Sequence, residues 1–232
     1  MNKIIIFSTV LCLALVSCNS SEHKHRKHNH SGHHHTDHNK SNKHMNANSF
    51  KDLAKSFEDE DRASWQKPEL VIQKLGDIRG KTIADIGAGT GYFSFRMAKS
   101  GAFVTAIDVD KRFQNFINDK KEKENTANLK TKFVGYDNPE LEKDEFDVLL
   151  IVDTYHHFND KIEYMTHCFK GLKKGGTLMN VDFKNIETPH GPPVDHRISA
   201  NDVKNDLLKV GFTSVEIDQN TLTEQYIITA KK

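Results

Sequence analysis

A glycine-rich turn limits the architectures open to this chain. Ala84-Asp85-Ile86-Gly87-Ala88-Gly89-Thr90-Gly91 follows a short apolar run at 82–86 that reads as a strand, and it opens into a segment at 92–99 with helical spacing. Glycines let such a turn bend tightly and let backbone N–H groups approach a ligand closely. A Gly-x-Gly pair alone is weak. Here it has a strand before it, a helix after it, and Asp108 at the end of the next apolar run, 21 positions after Gly87. A carboxylate so placed can accept both hydroxyl protons of an adenosine ribose.

The rest of the chain from Ser49 onward keeps the same rhythm. Strands are expected at 82–86, 103–108, 132–135, 146–152, 176–182, 214–218 and 225–230, and helices at 92–99, 112–123, 161–171 and 201–210. Before them, 50–57 has helical spacing, and Pro68 suits the first turn of a second helix running to Leu75. Strand–helix alternation implies an α/β fold with a mostly parallel, doubly wound sheet. The last two strands have no helix between them and can form an antiparallel hairpin.

The wording Asp85-Ile86-Gly87-Ala88-Gly89-Thr90-Gly91 closely resembles the first motif of class I S-adenosylmethionine (SAM)-dependent methyltransferases. Nicotinamide-dependent oxidoreductases share the layout, but a dinucleotide-binding turn usually has no acidic residue immediately before its glycine pair. The resemblance continues. Asp147-Val148-Leu149-Leu150-Ile151-Val152-Asp153 looks like the family's fourth strand, and Leu172-Lys173-Lys174-Gly175-Gly176-Thr177-Leu178 looks like the turn into its fifth, with Lys174 where proline is usual. The similarity covers roughly residues 60–232. It implies a Rossmann-like seven-stranded sheet of order 3-2-1-4-5-7-6 with strand 7 antiparallel. It also implies SAM as cofactor, held by Asp85, Gly87, Gly89, Gly91 and Asp108. Asp137 falls where the family often contacts adenine, although the usual Gly-Asp-Ala reads Gly135-Tyr136-Asp137-Asn138 here.

Methyl transfer from a sulfonium is an in-line displacement that needs a positioned acceptor and sometimes a base. Acceptor-binding groups are expected beyond the carboxyl ends of strands 4 and 5. His156 and His157 follow strand 4. His190, His196 and Arg197 flank a Gly-Pro-Pro turn after strand 5. These five are the candidate catalytic residues. His156 and His157 also suit packing beside the cofactor, and the second segment also suits a stiff surface loop. Trp65 and Gln66 lie where the family's lid often closes. Cys168 reads as a half-buried helix residue.

The first 48 residues are of another kind. Residues 1–18 combine Lys3, an apolar stretch and the ending Leu15-Val16-Ser17-Cys18, which resembles the lipobox of a bacterial lipoprotein signal peptide. Cys18 would be acylated, anchoring the protein to the cell envelope, periplasmic or surface-facing. Residues 19–48 form a His-rich linker with nine of the fourteen histidines, among them His23, His25, His28, His30, His33, His34, His35 and His38. It cannot bury a core and is expected to be disordered. It reads either as a spacer or as a weak chelator of Zn, Cu or Ni. Residues 49–232 are then the methyltransferase domain. With 33 Lys and Arg against 32 Asp and Glu, a small-molecule acceptor is favoured over nucleic acid. The alternative is a non-catalytic binding module in a metal-handling lipoprotein.

Overall fold

The computed structural model describes residue 42 and residues 49–232. Cys18 and the histidine tract lie outside the described residues. The described chain begins with three short helices: α1 (Phe50–Phe57), α2 (Arg62–Gln66) and α3 (Pro68–Gln73, with Pro68 at its first helical position). Then β1 (Thr82–Ile86), α4 (Tyr92–Lys99), β2 (Phe103–Asp108), α5 (Lys111–Lys123), β3 (Leu129–Phe133) and β4 (Phe146–Val152) alternate. They are followed by α6 (Lys161–Gly171), β5 (Leu172–Phe183), α7 (Ala200–Val210), β6 (Thr213–Asp218) and β7 (Gln225–Lys231).

The seven strands form one sheet in the order β3-β2-β1-β4-β5-β7-β6. β1 to β5 pair in parallel, and β7 runs antiparallel between β5 and β6. This is the fold and strand order that the resemblance implied. β4 reads Phe146-Asp147-Val148-Leu149-Leu150-Ile151-Val152 because both faces of a central parallel strand are covered. Leu149 and Ile151 face a core shared with Tyr164, Met165 and Cys168 of α6 and Val203 and Leu207 of α7. Val148 and Leu150 face a core shared with Val71, Phe93 and Met97. Each fully buried aliphatic side chain of this kind contributes roughly 1.5–3 kcal/mol.

Helix starts follow local chemistry. The side chains of Asp110, Asp160 and Ser199 accept from the backbone N–H groups of Arg112, Glu163 and Asp202. Gly211, with φ 113°, closes α7 in the left-handed conformation.

Four details differ from the sequence reading. β3 begins at Leu129, three residues before the expected start, because the buried side chain of Leu129 pairs with Val104 while the apolar Phe133 stays exposed. β5 is longer than expected and starts at Leu172. α2 was not anticipated. Cys168 is fully buried rather than half-buried, and burial pushes its thiol pKa up. Among the described residues no helix is long and apolar enough to cross a membrane.

Candidate functional site

The glycine turn leaves the carboxyl end of β1 with Gly87, Gly89 and Gly91 at φ 74°, 54° and 79°. A side chain at Gly87 is excluded twice, by this backbone and by Thr154, whose Oγ1 lies 2.2 Å from where a Cβ would sit. Asp108 ends β2 beside the turn. Its Oδ2 accepts from the Gly89 N–H at 2.8 Å and its Oδ1 from the Asp110 N–H at 2.8 Å. Asp85, the penultimate residue of β1, accepts from Ser94 Oγ at 2.6 Å.

Both carboxylates are almost completely buried. Burial is the main cause that raises each pKa to about 6, against hydrogen bonds that lower it, from Ser94 for Asp85 and from the Asp110 and Gly89 N–H groups for Asp108. The Thr90 hydroxyl is also buried and makes no hydrogen bond to the described protein atoms. Phe57 covers Gly89, with a ring carbon 3.0 Å from the position of a Cβ there, and stacks on Phe113 of α5 at 5.4 Å. This is a strand-end cradle of narrow backbone, an aromatic cover, two buried carboxylates and one unpartnered hydroxyl. Its chemistry fits the hydroxyls and base of an adenosine ligand.

A second cluster lies at the carboxyl ends of β4 and β5. Asp153 follows β4 with φ 51°, a conformation few non-glycine residues adopt. Its Oδ2 accepts from Gln66 Nε2 at 2.9 Å and its Oδ1 from Gln225 Nε2 at 2.5 Å. Gln66 Nε2 also reaches Gln225 Oε1 at 3.2 Å, and both glutamines are fully buried. Arg62 donates to Gln66 Oε1 at 2.6 Å and to the Phe57 carbonyl at 2.7 Å, and its guanidinium lies 4.1 Å over the Tyr92 ring. Desolvation first, then the nearby Asp182, push the Asp153 pKa upward, while Arg62 and His156 oppose them.

Behind Asp153, His156 Nδ1 sits 3.2 Å from Asp182 Oδ2, with both side chains buried. Burial opposes charge on His156, but the Asp182 carboxylate outweighs it and the net shift is upward. Lys161, at the start of α6, is pulled down to about 8 by desolvation, against the charges of Asp206, Asp160 and Asp182.

The remaining predicted residues fall into distinct places. His157 is half-buried, with Nδ1 3.0 Å from Asn42 Oδ1, and its ring lies 4.2 Å from that of His156. His190 stacks on Trp65 at 4.7 Å, and its Nδ1 lies 3.0 Å from Glu224 Oε1. Arg197 donates to the carbonyls of Pro192, Lys184, Ile186 and His190, so its guanidinium ties the loop after β5 together. His196 lies 4.0 Å from Asp195 on the same loop. Asp137 is exposed and accepts from Asn159 Nδ2 at 3.0 Å, at the rim of a small cavity also lined by Tyr136, Glu163 and Tyr164. Among the described residues no group of three His, Cys, Asp or Glu side chains is arranged to hold a metal.

Sequence reasoning missed Asp153, Gln66, Gln225 and Arg62 as a unit. Gln66 and Asp153 are 87 residues apart, and Gln66 and Gln225 are 159 apart. The available signal was Asp153 itself, an acidic residue immediately after an apolar strand.

Residues 84–180 match the family model described as a methyltransferase domain. A tRNA U34 carboxymethyltransferase of Desulfotalea psychrophila is 34% identical over 116 residues, covering 50% of this chain and 35% of that protein. A ubiquinone biosynthesis O-methyltransferase of Coxiella burnetii is 29% identical over 119 residues, covering 49% of this chain and 50% of the relative. The chain thus spans a third to a half of the length of these curated relatives. Among solved structures, a SAM-dependent methyltransferase from Aquifex aeolicus superposes with a TM-score of 0.73 at 22% identity, covering 79% of this chain and 98% of that one. Fold, turn and matches together support the class I SAM-dependent methyltransferase family.

Proposed function

We propose that this protein transfers a methyl group from SAM to a small-molecule acceptor and that its N-terminus tethers it to a membrane. The observation that carries the first part is Asp108. Its carboxylate is fixed by the Gly89 N–H at the end of β2, beside a glycine turn that leaves no room for side chains. When bound, SAM supplies an electrophilic methyl on a sulfonium. Asp108 would accept the ribose hydroxyl protons, and Gly87 and Gly89 would let the ligand lie on backbone.

His156, His157 and His190 border the acceptor end in this reading, and Arg197 and His196 hold the loop that carries His190. The near balance of charge supports a small acceptor. The relatives' names include both a tRNA enzyme and a quinone-pathway enzyme. Calorimetry with S-adenosylhomocysteine (SAH) tests cofactor binding. Incubation of a metabolite extract and of total RNA with methyl-labelled SAM then tests the acceptor class. Label in RNA alone would overturn the small-molecule reading.

The Leu-Val-Ser-Cys ending at Cys18 supports the tether and, with it, a second reading in which the domain binds without catalysing in a metal-handling lipoprotein. Mass spectrometry of the mature chain should find a lipid on Cys18. Zinc titration should find binding that fades as pH falls through about 6.5, because protonated imidazole cannot ligate. A mature chain starting elsewhere, or one indifferent to zinc, would remove these parts.

A further inference from the structure

The cluster around Asp153 asks for an explanation that packing does not give. A non-glycine residue held at φ 51° has a backbone cost, and a deep-set carboxylate has a desolvation cost. Two fully buried glutamines from opposite ends of the chain fix one oxygen each, at 2.9 Å and 2.5 Å, so the carboxylate cannot turn away. Asp153 nevertheless keeps partial solvent access. Such an arrangement presents a carboxylate of fixed orientation to the crevice, negative whenever its proton is off.

The sheet order says what that charge would face. In the cofactor reading, the ribose is held by Asp108 at the end of β2, on one side of β1. β4 lies on the other side of β1. A ligand anchored at β2 and lying across the glycine turn therefore runs toward β4. There Thr154, the residue after Asp153, packs so tightly on Gly87 that a Cβ would lie 2.2 Å from its Oγ1. The part of the cofactor beyond the ribose is the sulfur and its amino-acid arm.

We propose that Asp153 reads the charge on the cofactor's sulfur, holding the sulfonium more tightly than the thioether left after transfer; this rests on the methyltransferase reading above. In the transfer, an electron pair of the acceptor forms the new bond to the methyl carbon, and the carbon–sulfur bond breaks with its pair staying on sulfur. The positive charge leaves the sulfur, and the attraction to Asp153 goes with it. The site then favours entry of the charged cofactor and exit of the neutral product.

The groups that set Asp153's ionisation come from every element around it. They are Asp182 on β5, His156 in the turn after β4, and Arg62 on α2, with the Gln66 amide donating. On β7, Gln225 donates to the carboxylate and Tyr226 interacts with it electrostatically. Asp182 and desolvation favour the proton on Asp153, so acidification should neutralise it while most exposed carboxylates are still charged.

The test is calorimetry on the full chain with three probes: SAM, SAH, and an aza analogue carrying an ammonium in place of the sulfonium. Asp153→Asn keeps the shape and removes the charge. Affinity for SAM and for the aza analogue should fall about ten-fold or more in this variant, the scale of one hydrogen-bonded charge, while SAH should stay within about two-fold. In the wild type, the preference for SAM over SAH should shrink as the pH is lowered from 8.5 to 5.5, and the variant should show no such trend. This second arm needs no mutant and holds even if Asp153→Asn folds poorly. Equal losses for SAM and SAH, or a preference independent of pH in the wild type, would overturn the proposal while leaving cofactor binding intact. If neither ligand binds the wild type, the cofactor reading itself fails and this one falls with it.

Discussion

The two halves of the site are built in opposite ways. The glycine-turn half is local: Asp85, Gly87, Gly89, Gly91 and Asp108 fall within 24 residues, and backbone geometry does most of the positioning. The half at β4 and β5 is assembled from α2, the end of β4, β5 and the start of β7, and side-chain amides do the positioning. A rigid local cradle suits a ligand part that never changes, the adenosine. A crevice assembled from distant elements can differ between proteins of one fold without disturbing that cradle. The comparison predicts that changes in the first half damage fold and cofactor together, whereas changes in the second alter what is recognised.

The largest effect should come from Gly87→Ala. The new methyl group meets Thr154 at 2.2–2.8 Å on a backbone with φ 74°. Left-handed strain of about 1–2 kcal/mol and overpacking of about 1–3 kcal/mol add, so urea unfolding should show a loss of about 3 kcal/mol or more. Gly80→Ala is the control. It has φ 71° but nothing within 4 Å, so it should cost only the strain. Equal losses at the two sites would mean that Thr154 moves aside and the cradle is not rigid.

Next in size is the pH dependence that the buried carboxylates impose. Asp85 is raised from 3.8 to about 6, chiefly by burial. A carboxyl group with a higher pKa in the folded state binds its proton more tightly there. Its contribution to stability is therefore most favourable below about pH 4, declines as pH rises to about 6, and is flat above. Two units correspond to about 3 kcal/mol. Asp85→Asn should remove this decline while still accepting the Ser94 hydroxyl. The stability gap between variant and wild type should open between pH 4 and 6. A gap that is constant across that window would show that Asp85 is not desolvated as the structure implies.

Asp108 and Asp137 sharpen the cofactor side, since both were expected to touch it. Asp108→Ala should weaken SAH binding by about 1.5–3 kcal/mol, the range for hydrogen bonds to a charged group. Asp137 is exposed and accepts from Asn159, so Asp137→Ala should change affinity by less than about 0.5 kcal/mol. Calorimetry ranking the two the other way round would move the ligand toward the cavity beside Asp137.

Most of the fold was legible because its signals are local. Apolar runs bounded by glycine and polar turns placed β1, β2 and β4 at the residues the structure assigns. β3 slipped because an edge strand alternates, Leu-Lys-Thr-Lys-Phe, and its lysines hid a ladder that one buried leucine begins. The glycine turn and Asp108 were readable as a pair, since strand, turn and helix fix their spacing. The polar cluster at β4 was not, because no periodicity links Gln66, Asp153 and Gln225. Only the strand order brings them together. Arg197 showed the opposite failure. Its type and place made it a candidate catalytic residue, but four carbonyls of its own loop take its donors.

The smallest effect should come from His190, and it tests whether the second half is held as loosely as the comparison implies. Its side chain is 43% exposed, stacks on Trp65 at 4.7 Å and pairs with Glu224 at 3.0 Å. A hydrogen bond between such a half-exposed ring and a carboxylate contributes about 0.5–1.5 kcal/mol, Glu224 keeps the His190 backbone N–H as a partner, and the loop beneath has its own tie in Arg197. His190→Ala should therefore cost about 1 kcal/mol in urea unfolding and leave SAH affinity unchanged within error. Arg197→Ala removes the tie itself, leaving four carbonyls to find water, and should lower stability by about 1–3 kcal/mol. If His190→Ala proved as damaging as Arg197→Ala, the Trp65 stack would be what closes the loop. The acceptor side would then be a rigid wall, and the contrast with the glycine cradle would fail at this edge.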